Sequence, residues 1–145
     1  MKISTKGRYA LRMMIDLAVN NHGSYVALKD ISARQDISLK YLEQIVTLLG
    51  KAGLIRSLRG PAGGYMLSRR PDEYTIGEII RATEGELSPV NCVEGSVNTC
   101  SRAGNCPTVS FWQGLYGVIN EYIDQTTLKD LIDRHKDTDQ PEYNI

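Results

Sequence analysis

The stretch SLKYLEQIVTLLGKAGLIRSLRGPAGGYMLS, residues 38–68, changes its hydrophobic period part-way along. Up to Gly53 the apolar positions Leu42, Ile45, Val46 and Leu49 recur at the spacing of one helix face. Ser38 stands where a helix cap is wanted, and Lys40, Tyr41, Glu43 and Gln44 fall on the open side. Beyond Gly53 the pattern becomes strand-like. LIRSL and GYMLS flank RGPAGG, a hairpin signal with a Gly/Pro-rich tip. Upstream, LKDISARQ predicts a short helix that buries Leu28 and Ile31, and DIS makes the tight turn into the next. Two helices joined by a short turn and followed by a basic hairpin describe a winged helix. The glycine-rich tip lacks the Lys-Ser/Thr of a phosphate-binding loop and precedes no helix, so the wing reading is preferred.

The rest of the chain supplies helices around this unit. The first is expected from Ser4 or Thr5 to about Asn21, with Tyr9, Met13, Met14, Leu17 and Ala18 at helical spacing and Gly23 as a stop. In TIGEIIRATEG, Thr75 and Glu78 form a capping box and Gly85 ends the helix. VSFWQGLYGVINEYID carries Val109, Trp112, Tyr116, Ile119 and Ile123 at the three-and-four spacing of a helix-pairing seam. Leu115, Val118 and Tyr122 form a second stripe on a neighbouring face. A helix apolar on two faces needs two partners, and the chain has few other elements to surround it. One face is therefore expected on its own domain and the other on the same helix of a second copy, with the Val109–Ile123 seam assigned to the dimer. TTLKDLIDRH adds a short last helix, and KDTDQPEYNI reads as a frayed polar tail. The expected organisation is a winged helix-turn-helix over 1–84, a cysteine-containing loop over 85–108, a dimerisation helix with a short terminal helix over 109–135, and a flexible tail over 136–145. The fold class is mainly α with a small β wing.

Charge points to a partner. The net charge is zero, but residues 1–70 hold twelve Lys and Arg against four Asp and Glu, and residues 71–145 hold five against thirteen. A basic half of this size suits a polyanion, the plainer alternative being lysines that are merely solvated. In a winged helix the third helix enters the major groove. Gln44 then pairs with adenine and Glu43 accepts from cytosine. Arg56 and Arg59 lie on the wing, where Arg59 suits a narrow minor groove. Lys2, Lys6 and Arg8, at the other end of the domain, are candidate phosphate contacts. A symmetric dimer predicts a palindromic site on double-stranded DNA. No run approaches a membrane span, and the basic N-terminus lacks the apolar core of a signal peptide, so a cytoplasmic location and no membrane partner are expected. No convergent acid, base and nucleophile is visible, so an enzyme is not expected.

All three cysteines, Cys92, Cys100 and Cys106, lie in NCVEGSVNTCSRAGNC, among Gly, Ser and Asn. Structural zinc prefers closer pairs than this C-x7-C-x5-C. An internal disulfide leaves one thiol over and fits poorly with a reducing cytosol. Catalytic cysteine chemistry needs a nearby base, and His22 and His135 are far off in sequence. Three thiolates on a loop suit an iron–sulfur cluster, since soft iron matches sulfur. A cluster carrier or electron-transfer protein is the alternative of a different class, but it has no need of a basic half. A regulator that binds iron directly is a further reading.

The segments ISTKGRYALRMMIDLA, SLKYLEQIVTLLGKAGLIRSLRGPAGGYMLS, TIGEIIRATEG and TLKDLID resemble the bacterial winged-helix regulators that include IscR, NsrR and CymR. The resemblance spans residues 1 to about 135. It implies a dimeric transcription regulator, a repressor, with residues 38–44 in the major groove and Arg59 in the minor groove. It implies further that Cys92, Cys100 and Cys106 ligate a cluster, [2Fe-2S] preferred to [4Fe-4S], as in the IscR and NsrR branches. Such a regulator senses iron–sulfur, redox or nitric oxide status. The CymR branch lacks the cysteine triplet and governs cysteine metabolism, which gives the cluster-free alternative. Two departures matter. The first gap is two residues longer than the usual C-x5-C-x5-C, and Val109 and Arg8 stand where the branches supply a fourth ligand. That ligand is unassigned. A carboxylate, the partner subunit's His22 and an exogenous thiol are the alternatives.

Overall fold

The computed structural model describes residues 1–139. Six helices and one hairpin follow one another: α1 Thr5–Asn20, α2 Leu28–Gln35, α3 Leu39–Lys51, β1 Ile55–Leu58, β2 Gly64–Leu67, α4 Ile76–Glu84, α5 Val109–Gln125 and α6 Leu128–Thr138. Two single 3₁₀ turns, Pro71–Glu73 and Asn91–Val93, punctuate the connections. The fold is the expected one, mainly α with a two-stranded antiparallel wing.

One core holds the body together. Met13, Met14 and Leu17 of α1, Leu42, Ile45 and Leu49 of α3 and Ile79 of α4 are all sealed from water. Burying side chains of this size stabilises by about 1.5–3 kcal/mol each before the entropy of ordering is subtracted. The α2–α3 turn depends on Asp36, whose φ of 53° places it in the left-handed region, which Asp tolerates better than most side chains. Ser32 Oγ donates to the Ile37 carbonyl at 2.5 Å and closes the same turn.

The wing is not a free hairpin. Ile55 pairs with Leu67 and Leu58 with Gly64. Val26 and Tyr65 exchange two backbone bonds, each 2.8 Å, which adds a third short strand segment from the α1–α2 connection. Gly64 permits this approach, because a Cβ there would collide with the Val26 carbonyl. Tyr74, fully buried, anchors the base: its hydroxyl donates to the Leu54 carbonyl at 2.6 Å and accepts from the Ser68 and Arg69 amides. A buried phenol with all its polar capacity used is both packing and lock.

Three expectations are corrected by the structure. The first is the α5 seam, part of which faces its own domain. Ile123 is buried and Ile119 packs against the same core, so these two face their own domain. Tyr116 is held there too, its hydroxyl donating to Glu86 Oε2 at 2.7 Å, while Val109 and Trp112 are half-buried. The stripe left open is Phe111, Leu115, Val118 and Tyr122, with Phe111, Val118 and Tyr122 more than 60% exposed. Second, α6 runs on to Thr138, past the expected boundary at 135, and puts Leu128 and Ile132 into the common core. It belongs with the body. Its start is sewn to α4: the Ile76 amide donates to the Thr126 carbonyl at 2.9 Å, and the Leu128 amide to the Tyr74 carbonyl at 3.1 Å. The remainder of the expected tail, 140–145, lies outside the described residues. Third, Tyr41 is half-buried, not open like its neighbours.

Candidate nucleic-acid interface and cysteine loop

The helix that precedes α3 is held by a buried carboxylate. Asp16 on α1 is 2% exposed, and Arg34 donates to both its oxygens, Nε at 3.0 Å and Nη2 at 2.7 Å. Gln35 Nε2 adds a third bond at 3.0 Å. The fork-to-fork geometry raises the Arg34 pKa through its bond to Asp16, against a smaller opposing effect of burial. Arg12 reaches the same point, its Nε 3.2 Å from Gln35 Oε1 and its Nη2 bonded to the Gln35 carbonyl. The end of α2 is thus pinned to α1 immediately before the turn that aims α3.

At the start of α3, Ser38 Oγ accepts from the Tyr41 amide at 3.2 Å, the expected cap. Tyr41 meets Tyr9 edge to face with centroids 5.5 Å apart, and Arg12 stacks on Tyr9 at 5.2 Å. Its role is to seat α3 on α1. Lys40, Glu43 and Gln44 project freely. Leu39, at the first helical position, is 45% exposed on this end of α3, an apolar group that sequence reasoning passed over. On the wing, Arg56 and Arg59 are exposed, and Arg56 Nη2 lies 3.5 Å from the Ser68 carbonyl. Lys2 and Arg8 are exposed and Lys6 half-buried. The Tyr9–Tyr41 contact brings the first turns of α1 beside the first turn of α3, so Lys6 and Arg8 share an end of the body with Lys40, Glu43 and Gln44, not an opposite one.

The 85–108 segment differs in kind. Leu87 and Val93 are buried; every other residue in it is at least partly open. All three thiols are free, Cys100 exposed and Cys92 and Cys106 half-buried. Cys106 lies just ahead of α5 with its sulfur 3.4 Å from Thr108 Oγ1. Hydrogen bonding from the Thr108 hydroxyl first, then from the Thr108 and Val109 amides at the helix start, lowers its pKa. These are the conditions under which a thiolate ligates or reacts. Among the described residues, however, no three His, Cys, Asp or Glu side chains are disposed to hold a metal ion. The donors suit a cluster in chemistry but do not converge on one point. His22, the histidine weighed as a ligand, lines a cleft with Pro61–Gly63 at the wing tip of its own chain.

Comparison with known proteins bears directly on this architecture. The family described as Rrf2, iron-dependent transcriptional regulator, matches residues 3–134. The chain belongs to the Rrf2 family. Among its relatives, IscR of Aliivibrio salmonicida is 41% identical over 134 residues, 91% of this chain and 77% of that one. Two solved Rrf2-type structures superpose at a TM-score of 0.76. CymR of B. subtilis, described as the global cysteine regulator, is 40% identical and covers 92% of this chain and 98% of its own. IscR of T. potens is 36% identical and covers 98% and 93%. The protein is therefore a transcription regulator with a DNA-binding winged helix, and its relatives are regulators, not enzymes. No helix among the described residues is long and apolar enough to cross a membrane.

Proposed function

We propose that this Rrf2 regulator acts as a homodimeric repressor whose grip on a palindromic operator is governed by an iron–sulfur cluster on Cys92, Cys100 and Cys106. The observation that carries the DNA half is the capped α3 with Lys40, Glu43 and Gln44 exposed, followed by a wing that exposes Arg56 and Arg59. Dimerisation is supported by the open Phe111–Leu115–Val118–Tyr122 stripe, which continues at heptad spacing along α5. The cluster is supported by the donor set and by the lowered pKa of Cys106. Occupancy of the loop alters DNA affinity only by favouring one arrangement of body and α5 over another.

The test has two arms. Genomic fragments selected by the anaerobically purified protein should contain one inverted repeat and be released by moderate salt, since phosphate neutralisation makes affinity steeply salt-dependent. Iron and sulfide should appear in stoichiometric amounts after reconstitution, and substituting all three cysteines with alanine should abolish the colour and change operator affinity. A colourless protein whose binding ignores those substitutions supports the second reading, a cluster-free regulator of cysteine and sulfur metabolism. The 40% identity to CymR supports that alternative, as the 41% identity to IscR supports the cluster reading.

A further inference from the structure

The last residue of α4 meets the start of α1, the helix packed beside it. Glu84 Oε1 accepts from the Ser4 amide at 3.1 Å, from the Ser4 hydroxyl and from the Gly7 amide at 2.9 Å. Ser4 occupies the cap position of α1, yet its own side chain makes no capping bond. A carboxylate about eighty positions later does so instead, at the positive end of the helix where negative charge is favoured. Gly7 is fitted to it: a Cβ at that position would lie 2.6 Å from Glu84 Oε1. Lys2, Lys6 and Arg8 lie within two residues of Ser4 or Gly7, so the backbone that carries these three cations is the backbone that the cap fixes.

Two residues further on, Glu86 serves a different helix. It accepts from the Tyr116 hydroxyl at 2.7 Å and stands 3.8 Å from Arg81 Nε. The Arg81 guanidinium in turn bonds Asp124 at 2.7 and 3.0 Å and Asn120 at 2.7 Å. One short turn, 84–86, therefore carries the start of α1 on one side and α5 on the other, and leads straight into the cysteine loop.

We propose that Glu84 is a positioning residue for duplex binding: by capping α1 it holds Lys2, Lys6 and Arg8 against the phosphates and ties that grip to the α4–α5 joint. This rests on the proposal that the protein is a DNA-binding regulator. Charge alone predicts the opposite sign, because deleting a carboxylate near DNA should strengthen binding. A purely structural cap lowers thermal stability and leaves the salt dependence untouched.

Duplex affinity is measured against salt for the wild type, Glu84→Gln, Glu84→Ala, the combined Lys2, Lys6 and Arg8→Ala variant, and that variant with Glu84→Ala added. The probe is a duplex recovered from genomic selection. Glu84→Ala should weaken binding and reduce the salt slope by about one for each phosphate that is no longer neutralised. Glu84→Gln, which keeps an acceptor oxygen, should retain most of both. Adding Glu84→Ala to the triple variant should cost little more, and base preference should be unchanged throughout. An unaltered slope, stronger binding or fully additive losses would overturn the assignment. If Glu84→Ala does not fold, Gly7→Ala, whose Cβ would displace Glu84 Oε1 from the cap, takes its place in the same comparison and should lose the same affinity and slope. A wild type that binds no duplex sinks the regulator reading and this assignment with it; a wild type that binds with a slope indifferent to Glu84 sinks the assignment alone.

Discussion

Between Thr5 and Glu84 each helix turns a face into one shared core, and α6 returns to close it. Between Gly85 and Thr108 only Leu87 and Val93 are buried, and order comes from local turns such as the Cys100 amide bonded to Asn98 Oδ1 at 3.0 Å. The body is specified by packing, which tolerates few alternatives. The loop is held at Glu86 and Leu87 and where the Asn91–Val93 turn meets α5, and beyond these points it has little packing to restrict it. On the proposed function this division separates a constant surface for DNA from a segment that responds to a ligand. Helix α5 spans the two regimes, with a body-facing stripe and an open one.

The contrast is tested hardest by placing the same charge on both faces of α5. Ile123→Asp should unfold the chain, because an unpaired carboxylate in the core costs several kcal/mol. Val118→Asp should leave the melting curve nearly unchanged and shift sedimentation from dimer to monomer. If Val118→Asp unfolds the protein and Ile123→Asp does not, the two faces have been misassigned.

Next in size, Leu42→Ala should cost about 3 kcal/mol in denaturant unfolding, whereas Cys100→Ala should stay within about 0.5 kcal/mol. Comparable losses would mean that the loop is packed after all. On the reading face, Gln44→Ala should weaken operator binding by about 1–3 kcal/mol, with relaxed preference at a single base position. The smallest effect concerns the loop itself. Cys106 should be alkylated at lower pH than an ordinary thiol, because the folded chain favours its thiolate. Thr108→Ala should move that profile upward with little change in stability, and an unmoved profile would remove the Thr108 hydroxyl from the account.

Much of the body is legible from spacing. The four buried positions of α3, the Ser38 cap, the Thr75–Glu78 box and both wing strands stand where periodicity and turn chemistry place them. What escapes depends on contacts between distant residues. Two stripes of α5 satisfy the same spacing, and nothing local says which one meets the core; that choice is made by Tyr116 with Glu86 and by Arg81 with Asn120 and Asp124. Tyr41 reads as exposed until Tyr9 is beside it. Gly7 looks like an ordinary weak point in a helix until Glu84 is seen against it. In the loop, three cysteines announce a chemistry, but no periodicity exists there to fix their geometry.

The stitching of Thr126 and Leu128 onto the start of α4 gives α5 a fulcrum at its C-terminal end. Seventeen residues of helix make an arm of roughly 25 Å. Cys106 lies at the far tip of that arm. A tilt of about five degrees about the fulcrum would sweep the tip by roughly 2 Å, and the Tyr116–Glu86 and Asn120–Arg81 bonds along the arm are the contacts such a tilt would have to strain.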